Sequence, residues 1–131
     1  MNNLARLVSQ IFGVILTLVG LMGFIPSLTP DGQLLGIFAV NPAHNLVHLL
    51  TGVLGLVAGF MMGGQYARLY TLIFGLIYTV VAIVGFVQGM TILGVLPTGL
   101  ADNILHAMLA ISFLGAYFAT PSESAASARA A

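Results

Sequence analysis

Four long apolar runs, separated by short breaks rich in proline and glycine, set the pattern of this chain. They cover about residues 4–25, 42–62, 67–89 and 100–119, and each is close to the roughly 20 helical residues that cross a hydrocarbon core. The breaks carry residues that end helices or set turns: Pro26, Pro30 and Gly32, then Gly63 and Gly64, then Gly94, Pro97 and Gly99, then Pro121. Asn41 before Pro42 is a strong helix start, because Asn caps free N–H groups and Pro at the first helical position loses no bond. The pattern predicts an all-α bundle of four transmembrane helices over residues 1–120, with a polar tail, 121–131, expected to be disordered. Two apolar segments too short to span, residues 34–40 and 91–95, are expected to lie in the outer interface. The first run is longer than a signal-peptide core and is read as a retained span.

The runs repeat. ARLVSQIFGVILTLVGLMGF from Ala5 aligns without gaps on ARLYTLIFGLIYTVVAIVGF from Ala67, and LGIFAVNPAHNLVH from Leu35 aligns on LGVLPTGLADNILH from Leu93. The chain reads as a duplicated helical hairpin. Each copy has an even number of spans, so both enter the membrane from one side, related by a pseudo-twofold axis along the membrane normal. His48 and His106 are then expected to lie symmetrically about the bundle centre, with His44 and Asp102 one turn nearer the outer surface. An inward stripe of small residues follows: Gly52, Gly55 and Gly59 after His48 on the second helix, Gly13, Thr17, Gly20 and Phe24 on the first, and Gly75, Thr79, Ala82 and Phe86 on the third. Such stripes serve close helix contact or leave room for a flat cofactor.

Composition turns the helical pattern into a membrane assignment. Of 131 residues 60% are hydrophobic and 5% charged, and the mean hydropathy of +1.12 is far above that of a chain with a wettable surface. The lipid bilayer is the expected partner. Three arginines, no lysine and zero net charge leave no basic surface for nucleic acid. The lack of cysteine removes disulfides and thiolate chemistry. Arg6, Arg68 and Arg129 fall on one side of the four spans, which by the positive-inside bias places both termini in the cytoplasm of an inner-membrane protein.

The candidate chemistry lies in two polar turns, His44-Asn45-x-x-His48 and Asp102-Asn103-x-x-His106. Ionisable residues within spans are costly and point to function. Three imidazoles and one carboxylate, from His44, His48, His106 and Asp102, suit zinc or iron, with Asn45 and Asn103 as hydrogen-bond partners that orient the rings. Alternatively His48 and His106 are axial ligands to a haem or other tetrapyrrole. The positive dipole ends of the helices favour an anionic group over a bare cation. Against these stands a structural reading, in which the cluster supplies interhelical hydrogen bonds in an accessory subunit docked on other membrane-protein subunits. Proton relay has less support, because only Thr17 and Thr79 lie deeper on the inward face. With no serine-nucleophile arrangement, paired carboxylates or phosphate loop, the reading leans away from an enzyme, although a small haem or quinone oxidoreductase stays open.

The HNxxH turn leading into a Gly-rich helix, the Ala67-Arg68 pair opening the third span and the late DNxxH turn together resemble a bacterial four-span membrane family known only as domain of unknown function 4383. The resemblance runs from about Ala5 to Ala119. It implies a four-helix membrane protein, and no activity.

Overall fold

A computed structural model describes residues 3–131. Four long helices, α1 (Leu4–Met22), α2 (Pro42–Phe60), α3 (Ala67–Gln88) and α4 (Leu100–Ala119), form the bundle, and each is long and apolar enough to cross a membrane. α1 packs on α2 and α3 on α4, while α1–α4 and α2–α3 contacts join the two halves. α1 stops at Met22 rather than at Ile25, because the chain turns at Gly23 toward Pro26.

The bundle is sorted by side-chain size. Leu7, Ile11, Val14, Leu18 and Leu21 of α1 are exposed, as are Leu69, Ile73, Leu76, Val80 and Ile83 of α3. The opposite faces carry Ala5, Ser9, Gly13 and Gly20, and Ala67, Thr71, Gly75 and Ala82, all buried. Large apolar residues outward and small ones inward is the order expected where the solvent is hydrocarbon, since lipid tails give leucine no reason to turn in. Phe24 and Phe86 depart from the expected stripe: they are 47% and 53% exposed and face outward at the helix ends.

Within the first half the glycines set the spacing. A Cβ on Gly52 would collide with the Thr17 backbone nitrogen and stand 2.8 Å from the Leu16 carbonyl carbon, and one on Gly20 would meet the Leu49 nitrogen at 2.7 Å. Gly13 lies against the Gly55–Leu56 backbone, Gly59 against Gln10, and Gly75 against the Leu114 side chain.

The two outer segments form small antiparallel hairpins: β1 (Gln33–Leu34) with β2 (Phe38–Ala39), and β3 (Thr91–Ile92) with β4 (Leu96–Pro97). Each turns through a Leu-Gly pair at positive φ, Leu35 (54°) and Gly36 (71°) in one, Leu93 (52°) and Gly94 (70°) in the other. Pairing satisfies backbone groups that an irregular segment would leave bare near lipid. Leu34 and Ile92 plug inward at 2% and 4% exposure.

The hairpins are clamped crosswise. Ala39 N–H donates to Asp102 Oδ2 of α4 at 3.0 Å, and Asn41 Nδ2 donates to the Val95 carbonyl of the other hairpin at 2.9 Å. The tail, expected to be disordered, carries α5 (Glu123–Ala130), started by Ser122, whose hydroxyl accepts the Ala125 N–H. A capping serine before an alanine-rich stretch is sufficient local reason for a helix.

Gly52→Ala is expected to lower stability in detergent by about 1–3 kcal/mol through overpacking, while Gly115→Ala, with open space around its position, leaves the melting temperature unchanged or slightly raised. Equal melting of the two variants would remove the close α1–α2 approach as the basis of the packing.

Candidate functional site

α2 begins where Asn41 Oδ1 accepts the His44 N–H at 2.8 Å, with Pro42 in the first turn. This start fixes the helical phase that turns His44, Asn45 and His48 inward. On α4, the carboxylate of Asp102 reaches back to the Gly99 N–H at 2.9 Å, and the phase set there turns His106 inward from the opposite side.

The three histidines meet. Ring centroids are 4.5 Å apart for His44–His48, 5.7 Å for His44–His106 and 6.1 Å for His48–His106. Their candidate ligand nitrogens all lie within 4.8 Å of one another, and the residues are only 2–3% exposed. Nδ1 of each ring, together with Nε2 of His48, is buried without a hydrogen-bond partner among the described residues. β2 of the first hairpin packs on α4 and β4 of the second on α2, so the hairpins roof the cluster.

Asp102 does not join this group. Its Oδ2 accepts the Gly99 and Ala39 N–H groups, holding the start of α4 and the first hairpin together. Asn45 packs on Gly23 and Asn103 on Gly85, each so closely that a Cβ on the glycine would collide with the amide, and both Oδ1 atoms lack a partner. These contacts explain the Gly-Phe that closes both helical repeats.

Sequence reasoning missed the polar groups beneath the triad. Tyr78 packs against His106, with centroids 5.7 Å apart, and its hydroxyl is 3.3 Å from Thr51 Oγ1. Tyr70 OH donates to the Thr51 carbonyl at 2.8 Å, in space kept open by Gly55, where a Cβ would stand 2.7 Å from the phenol oxygen. Phe113 packs on both tyrosine rings. A buried polar column therefore continues below the histidines, deeper than Thr17 and Thr79 alone would take it. Thr51 and Tyr78 border the stripes read as inward, whereas Tyr70 falls nearly opposite the stripe of its own helix, so the sequence pattern gave no signal for it.

Asp102→Ala removes the acceptor of two buried N–H groups. Hydrogen bonds to charged groups contribute about 1.5–3 kcal/mol each, so the first hairpin should loosen. Hydrogen exchange at Ala39 and Gly99 is expected to accelerate by tenfold or more, with exchange at mid-α1 amides unchanged; uniform acceleration would mean that Asp102 supports the whole bundle instead.

Comparison with curated proteins and with solved structures gives no match. The family described as domain of unknown function 4383 matches residues 6–119, which include the histidine turns and all four long helices. The chain is a multi-pass helical membrane protein and belongs to that family of unknown function.

Proposed function

We propose that His44, His48 and His106 bind a first-row transition-metal ion, zinc or iron, near one face of the membrane. The observation that carries this reading is the convergence of three buried imidazoles whose Nδ1 atoms have no hydrogen-bond partner. A buried polar atom left unsatisfied costs about 1–3 kcal/mol, and ligation satisfies one nitrogen on each ring. Hydrogen-bonded ties between helices would pair these atoms with acceptors or with one another. Tetrahedral zinc at its usual bond length of about 2.0–2.1 Å sets ligand nitrogens about 3.3 Å apart, so small ring rotations would close the present spacing.

The chemistry of the surroundings supports the same reading. The His44 N–H is capped by Asn41 and the Gly99 N–H by Asp102, which blunts the helix-dipole objection to a cation, and the Asp102 charge lies close by. Three protein ligands leave a fourth position for water or a small anion. The placement of Arg6 and Arg68 at the end opposite the histidines supports an inner-membrane topology with both termini in the cytoplasm and the triad toward the outside.

Protein purified in mild detergent is expected to carry about one equivalent of zinc or iron by elemental analysis, without a Soret band. His48→Ala and His106→Ala should each lose the metal while keeping helical content, and Asp102→Asn should retain it. A folded, metal-free protein that takes up neither zinc nor iron on titration would return the cluster to a purely structural role.

A further inference from the structure

At the other end of the bundle, Arg6 and Arg68 stand in the first turns of α1 and α3. Each donates from Nε to a carbonyl at the end of a neighbouring helix, Arg6 to Gly59 at 3.0 Å and Arg68 to Thr120 at 2.9 Å. Cations are favoured at helix C-termini, so both bonds serve the fold. Their surroundings differ. Arg6 is covered by the turn Met62–Gly64, where a Cβ on Gly64 would stand 2.6 Å from its Cδ. Arg68 lines an open pocket of about 450 Å³.

The guanidinium of Arg68 lies over the Tyr117 ring, 4.1 Å from the centroid. Its plane is thus fixed and its Nε committed, while among the described residues no acceptor engages its terminal nitrogens. A held, planar fork with unused donors is the arrangement that receives a phosphate. Glu123 lines the same pocket without pairing to Arg68, so the pocket offers one cation and one separate anion. Leu69 and Leu72 extend its wall along α3 into the span. A ligand matching this lining has a phosphate, a positive group beyond it, and an apolar chain that runs into the bilayer.

We propose that this pocket binds a phospholipid whose headgroup carries a primary ammonium as well as its phosphate. The phosphate meets Arg68, the ammonium donates to Glu123, and the start of an acyl chain lies on Leu69 and Leu72. A headgroup that is anionic overall would meet Glu123 unfavourably, and a quaternary ammonium has no hydrogen to donate to it.

The test is native mass spectrometry of the full chain in detergent, offered equimolar phosphatidylethanolamine, phosphatidylglycerol and phosphatidylcholine. Phosphatidylethanolamine should be retained over the other two by about tenfold, the factor one charge-assisted hydrogen bond supplies. Glu123→Gln should abolish that preference or reverse it toward phosphatidylglycerol, and Arg68→Gln should reduce all three to background. Because Arg68 also holds the end of α4, Glu123→Gln, whose side chain is outside the packed bundle, carries the decision. Equal retention of the three lipids by the unmodified protein, or an unchanged order in Glu123→Gln, would overturn the proposal. Displacement of the lipid by equimolar water-soluble glycerophosphoethanolamine would assign the pocket to a free zwitterion and overturn the lipid assignment.

Discussion

Close contact between small residues is the constraint on which the rest of this bundle depends. In hydrocarbon the usual drive to bury leucine is absent, and helices are held by van der Waals fit and polar ties. Gly20 and Gly52 bring the α1 and α2 backbones together, and the first half has no room for larger side chains between them. Bulk is displaced to two places. Leucines, isoleucines and valines go to the lipid face, and the histidines, Tyr78 and Phe113 fill the centre between the halves. The triad is thus a product of packing geometry as much as of its own chemistry.

The four helices were legible because hydropathy and proline-glycine breaks report directly on what can cross a bilayer. The matching depth of His48 and His106 was legible through the aligned polar turns, and their meeting across the bundle is what the structure adds. The roles of individual polar residues were not. A carboxylate in a first helical turn can ligate a metal or accept backbone N–H groups, and the choice at Asp102 is made by Ala39, far away in sequence. The asparagines show the same limit: Gly23 and Gly85 were visible as repeated glycines, but what fills the gap beside each depends on the partner helix. Two-residue strands are too short to display a period, so only the Leu-Gly pairs hinted at the hairpins. Tyr70 and Tyr78 align with Val8 and Leu16 in the repeat, so comparison of the halves drew attention away from them.

Positions that align between the two halves do different work. His44 and Asp102 occupy matching positions, yet one joins the imidazole cluster and the other locks a hairpin. Thr51, where the first half supplies a hydroxyl and a carbonyl, receives Tyr70 and Tyr78 of the second. The arginines make equivalent bonds but only one borders open space.

The crosswise clamping of the hairpins also bears on the order of folding. The first hairpin is complete in sequence before α3 begins, but its Ala39 N–H has no partner until Asp102 arrives on the last long helix. The second hairpin is tied to Asn41 at the head of α2, which precedes it in the chain. The cross-links over the histidines are therefore complete only once α4 is in place, the same helix that brings His106 to the cluster.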